Sequence, residues 1–172
     1  DGKALLVTEF PQAAGPGGLA GPSQVLYSRD PTTLERKTLT LPAGMVSDIA
    51  PGPDGKLVAA VGAVGANAGK LMILDPATAA PQEIPTAPAR SSQNGYARFT
   101  PDGKRLLVAS HGFAGGMAPG VDVFDVTDAA TAAGYKKVAT VRSAGMLFVG
   151  GNFHIGPDGQ RVVFQTGAVL AV

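Results

Sequence analysis

Pro101-Asp102-Gly103-Lys104 followed by Arg105-Leu106-Leu107-Val108-Ala109-Ser110 is the stretch on which the fold turns. Proline presets φ at the first central position of a tight turn, aspartate tolerates the second, and glycine takes the positive φ that rejoins a strand. Such a turn connects two short antiparallel strands. The flanks agree: ARFT precedes the turn and KRLLVAS follows it, both rich in the aliphatic and aromatic residues that strands favour. The motif also recurs. Asp1-Gly2-Lys3 stands before ALLVTEF, Pro53-Asp54-Gly55-Lys56 before LVAAVG, and Pro157-Asp158-Gly159-Gln160 before RVVFQTG. Glycines 2, 55, 103 and 159 are 53, 48 and 56 residues apart.

A second signature keeps phase with the first. Asp30-Pro31-Thr32-Thr33, Asp75-Pro76-Ala77-Thr78 and Asp128-Ala129-Ala130-Thr131 each fall 20 to 28 residues after a repeat glycine. Each follows a third strand (VLYS, KLMIL, VDVFDV) and precedes a fourth (KTLTL, QEIP, KKVATV). Four short antiparallel strands per unit of about 50 residues make the blade of a β-propeller. Labelled A to D from the axis outward, the chain reads B–C–D, A–B–C–D, A–B–C–D, A–B. The expected fold is therefore all-β, with about three blades plus partial ones in thirteen strands. The chain is expected to be one propeller segment over 1–172, divided at 1–45, 46–90, 91–145 and 146–172. Only one short turn of helix is expected, in the Ala-rich residues 128–134.

Composition narrows the function classes. Thirteen acidic against fourteen basic side chains leave a formal charge of +1, with no field to steer the chain toward nucleic acid or an anionic membrane. No cysteine means no disulfide, no thiol catalysis and no thiolate metal site. No apolar run approaches the roughly 20 residues of a membrane-spanning helix. The first residue is Asp1 rather than Met, so a processed product or excised piece is expected. Propellers close with about four to eight blades. An open arc exposes flat apolar faces, so the expected partners are the remaining blades of the same propeller or further copies of this chain.

The units PDGKRLLVAS…GVDVFDVTD…KKVATV and PDGKLVAAVG…GKLMILDPAT…QEIP resemble YVTN-type propeller repeats. That resemblance implies a bacterial periplasmic, extracellular or cell-surface location and a choice between binding proteins and lactonase-like enzymes. Its matching residues are turns and strand cores, which specify a fold that hosts many functions. The family's copper enzymes draw many histidines from their propeller, whereas this chain has only His111 and His154.

Candidate ligand contacts come from the inner strands. Aligned on the shared proline, Asp48, Tyr96 and Asn152 occupy one register, and Ala50, Arg98 and His154 lie two residues further on. The positions between them are apolar, the period-two pattern of a strand with unlike faces. Asp48, Tyr96, Arg98, Asn152 and His154 thus form the candidate channel cluster, either bonding between blades or contacting a ligand. His111 lies in the loop at residues 110–120, on the same face as the Gly- and Ala-rich loops 11–22 and 63–70; a protein partner is expected there. Asp122, Asp125 and Asp128 lack the alternation and central glycine of a calcium loop, and Asp122 and Asp125 are expected at the edges of the third strand. Gly65-Ala66-Asn67-Ala68-Gly69-Lys70 lacks the length, the Ser or Thr and the helix of a phosphate loop. No catalytic residue, metal site or cofactor is assigned. The resulting expectation is a non-catalytic binding or scaffolding propeller; the alternative is a lactonase-like or quinoprotein-like enzyme in which Arg98 and His154 hold an anionic or carbonyl substrate.

Overall fold

The computed structural model describes residues 5–9, 25–30, 32–39, 45–62, 70–75, 81–85, 95–110, 120–142 and 152–172. They form four antiparallel meanders. The first contains β1 (Leu5–Glu9), β2 (Val25–Arg29) and β3 (Arg36–Leu39). The second runs β4 (Met45–Pro51), β5 (Leu57–Gly62), β6 (Lys70–Leu74) and β7 (Gln82–Ile84). The third runs β8 (Gly95–Phe99), β9 (Arg105–Ser110), β10 (Gly120–Val126) and β11 (Tyr135–Arg142). The fourth contains β12 (Phe153–Ile155), β13 (Arg161–Phe164) and β14 (Val169–Ala171). Among the described residues there are thus fourteen strands, not thirteen. The additional β14 pairs with β13 through a turn in which Gly167 adopts φ 85° and its N–H donates to the Phe164 carbonyl at 2.9 Å. Three residues after a Thr-Gly turn are too few to show a period, which is why pattern alone passes over them.

The three described proline–aspartate–glycine turns take the expected conformation, with φ 73° at Gly55, 70° at Gly103 and 69° at Gly159. They differ in length. The Gly52 N–H reaches the Lys56 carbonyl, whereas Thr100 reaches Arg105 and Gly156 reaches Arg161. The second sheet's turn is one residue shorter and is wound as a short 3-10 helix, Pro53–Gly55. Leu57 consequently pairs with Pro51, as Leu106 pairs with Phe99 and Val162 with Ile155. A one-residue slip would turn every side chain of a strand to the wrong face. The direct passage from Lys56 to Leu57, where the third unit inserts Arg105 after Lys104, keeps the faces in phase.

Both faces of the second and third sheets are buried along their middle strands, β5, β6, β9 and β10, while the outermost strands β7 and β11 are largely exposed. Ala50, Val58 and Ile73 form one cross-strand row of the second sheet, with at most 1% exposure, packed with Ala97, Leu106, Phe124 and Tyr135 of the third. Leu57, Ala59, Met72 and Leu74 line the second sheet's other face. In the third sheet Leu107 pairs with Arg98 on one side and Val123 on the other, and packs with Phe153, Val162 and Phe164 of the fourth. Strands buried on two faces need near-continuous apolar runs, as LVAAV and RLLVA supply. The Ala-rich segment gives the expected single turn, a 3-10 helix at Ala132–Gly134. Its Gly134 sits so close to the Asp128 carbonyl that a Cβ would lie 2.0 Å from that oxygen.

Candidate functional site

The stacking of successive sheets brings Asp48 on β4, Arg98 on β8 and Asn152 just before β12 together. Asp48 Oδ2 accepts the Ala97 backbone N–H at 2.9 Å and pairs with Arg98 Nη1. Nη1 also donates to the Ala97 carbonyl at 2.6 Å, while Nη2 donates to Asn152 Oδ1 at 2.8 Å. Asn152 Oδ1 also accepts the Phe153 N–H at 2.9 Å. The guanidinium therefore links the inner strands of three successive sheets. Its planar fork suits that task, because several donors leave in fixed directions at once. With side-chain exposures of 29% for Arg98 and 15% for Asp48, the pair is shielded from water more than a surface ion pair.

The five inner-strand candidates do not all meet. Asp48, Arg98 and Asn152 form this chain of bonds. Tyr96 is half-buried and packs against the core between the third and fourth sheets. His154 is exposed and stands opposite Val163 on the fourth sheet's far face, outside the chain of bonds. His111 and loop residues 11–22, 63–69 and 111–119 lie outside the described residues.

Asp122 lies within β10 rather than at its edge, where it accepts Thr140 Oγ1 at 2.6 Å and pairs with Lys137 Nζ at 2.9 Å. Asp128 accepts the Ala130 N–H at 2.9 Å and Thr131 Oγ1 at 3.1 Å, closing the turn after β10. Asp125 lies 3.6 Å from Arg105 Nε. The three aspartates thus serve separate local contacts.

Sequence reading did not foresee a groove of about 490 Å³ where the turns of the third and fourth sheets adjoin, lined by Thr100, Asp102, Arg105, Thr127, Asp158 and Gln160 among others. The only sequence signal for it is the repeat itself, because turns at the same place in adjacent blades must come side by side. The Thr100 hydroxyl and then the Lys104 N–H hold the Asp102 carboxyl below the ordinary carboxylate range. A similar inward bond joins Lys56 Nζ to Asp75 at 2.6 Å in the second sheet. Both carboxylates are therefore engaged by their own repeat unit.

No known family and no curated protein matches the chain. Solved structures do. TolB from Acinetobacter baumannii is 18% identical with a TM-score of 0.58, over 82% of this chain and 31% of its own. A eukaryotic initiation factor structure is also 18% identical, with a TM-score of 0.56, over 94% of this chain and 33% of its own. The chain spans about a third of the length of these structures. The fold is that of β-propeller blades. No helix among the described residues is long and apolar enough to cross a membrane.

Proposed function

We propose that the chain is part of a YVTN-type propeller that works as a non-catalytic binding or scaffolding module in the periplasm or at the cell surface. Blades divide near 45, 90 and 145 and are completed by remaining blades or by further copies. A protein partner docks on the loop face that carries His111. One observation supports this reading above the others: Arg98 commits its guanidinium to Asp48 and Asn152, joining three sheets, and to the Ala97 carbonyl of its own strand. A substrate-binding arginine at the channel would instead keep its fork for the ligand, with His154 beside it.

Two measurements, on wild type and on one variant, test the reading. Arg98→Met should lower unfolding free energy by about 1.5–3 kcal/mol, the usual worth of hydrogen bonds to a charged group, in a denaturant melt. Wild-type protein should show no turnover of a lactone panel. Lactone hydrolysis that disappears in Arg98→Met at unchanged stability would establish the enzyme instead.

A further inference from the structure

The turns of the third and fourth sheets share the proline–aspartate–glycine corner but hold its carboxylate differently. In the third, Asp102 Oδ1 accepts the Thr100 hydroxyl at 2.6 Å and the Lys104 N–H at 3.1 Å. Thr100 Oγ1 also accepts the Arg105 N–H at 3.0 Å, so one buried threonine fastens both ends of the turn. In the fourth, Gly156 stands where Thr100 does. Asp158 Oδ1 accepts the Gln160 N–H at 3.0 Å and, among the described residues, the carboxylate makes no other hydrogen bond. A Cβ placed on Gly156 would lie 3.0 Å from that oxygen and 3.6 Å from the Arg161 carbonyl, so the position has room and reach for a threonine. The hairpins differ as well. β8 and β9 pair from Gly95 to Phe99, whereas β12 and β13 pair only from Phe153 to Ile155.

We infer that Asp158–Gly159 is a site of spontaneous covalent modification, at which Asp158 isomerises to isoaspartate through a cyclic imide, and that the Thr100 hydroxyl protects Asp102 from the same reaction. The carboxylate takes a proton from solvent, the Gly159 nitrogen attacks Asp158 Cγ, and the carboxyl O–H leaves with the nitrogen's proton as water. Water then adds to one imide carbonyl and the C–N bond there breaks. Attack at the side-chain carbonyl restores aspartate; attack at the main-chain carbonyl gives isoaspartate, with no net change in mass. Glycine favours ring closure because no side chain blocks the approach to its nitrogen. The turn must open first, since the Gly159 N–H donates to the Gly156 carbonyl at 2.9 Å. Gly103 is held in the same way by Thr100, so that bond does not separate the two corners. Local opening costs less where fewer interactions break, and the fourth turn lacks the threonine and has the shorter ladder. Thr100 and Lys104 also favour the ionised form of Asp102, which is the unreactive one. Isoaspartate carries the main chain through the side-chain carbon, one methylene longer. Gly159 lies against Thr100 of the third sheet, and Asp158 to Gln160 line the groove there, so the lengthened corner displaces one wall of that groove.

Prolonged incubation of the folded protein at neutral pH tests the inference. Peptide mapping with electron-transfer fragmentation distinguishes isoaspartate from aspartate at equal mass and follows positions 158 and 102 in the same sample. Isoaspartate should accumulate at 158 about fivefold faster than at 102 or more, the factor that the loss of one hydrogen bond's worth of local stability supplies. This comparison needs no variant. Gly156→Thr, which places a hydroxyl beside Asp158 as Thr100 places one beside Asp102, should bring the rate at 158 down to that at 102, with circular dichroism unchanged. In denaturant, where neither turn persists, the two positions should react at similar rates. Equal rates at 158 and 102 in the folded protein, or no isoaspartate at 158, would overturn the inference. So would a folded Gly156→Thr variant that reacts at 158 as fast as wild type, or a difference between the two positions that survives unfolding.

Discussion

Gly103 joins two requirements at one position. Its φ of 70° is the left-handed region, and the turn it closes rests on the preceding sheet, with Pro53 carbons 3.5 Å from where a Cβ would stand. Space is therefore adequate and conformation is the obstacle. A β-branched residue in the left-handed region costs about 1–3 kcal/mol. Gly103→Val should lower stability by that amount in a denaturant melt, with secondary structure retained at low denaturant. A change of less than about 0.5 kcal/mol, the range of ordinary surface substitutions, would contradict the turn assignment. The neighbouring Asp102 shows what the motif's carboxylate does: it accepts the Thr100 hydroxyl at 2.6 Å and the Lys104 N–H at 3.1 Å, pinning both sides of the turn. That role was legible before any coordinates, because short polar side chains at turns bond the backbone two residues on.

The second, third and fourth sheets are fastened to one another by different balances of apolar and polar contact. Between the second and third sheets, Tyr135 at the start of β11 lies edge-on to Phe99, with ring centroids 6.4 Å apart, and its hydroxyl donates to the Ala129 carbonyl at 3.1 Å. Burial, and secondarily the negative charge of Asp128, push its phenol up to about 12. An exposed tyrosine ionises near pH 10. Between those values the unfolded chain has lost the proton that the folded chain retains, so stability is complete below about pH 10 and falls as pH rises toward 12. Tyr135→Phe should remove that slope from alkaline denaturation curves; a slope left unchanged would place the ionisation elsewhere. Between the third and fourth sheets the fastening is polar at the axis and apolar further out, through Arg98 and Leu107. The length of the Pro53–Gly55 turn belongs to this scale too, since one residue fewer decides which face of β5 meets which sheet.

Across the molecule, the same row of residues is core in one sheet and surface in another: Leu107, opposite Arg98, is 0% exposed, and Val163, opposite His154, is 41% exposed. Leu107→Ala should cost about 2–5 kcal/mol, as buried leucine truncations do, while Val163→Ala, its counterpart in the fourth sheet, should cost about 0.5 kcal/mol or less in the monomer. Comparable losses in equilibrium melts of the dilute protein would mean that the fourth sheet is already covered. Local chemistry determined the repeat, its turns and nearly all of its strands, because a proline–aspartate–glycine corner and a period-two run act over a few residues and leave their mark in sequence. Only the tertiary structure decided that Arg98 bridges Asp48 and Asn152 while His154 turns to the open face. Those partners lie 50 and 54 residues from Arg98 along the chain. Whether their side chains meet depends on how far apart and at what angle successive sheets stack, which no periodicity within a single strand encodes.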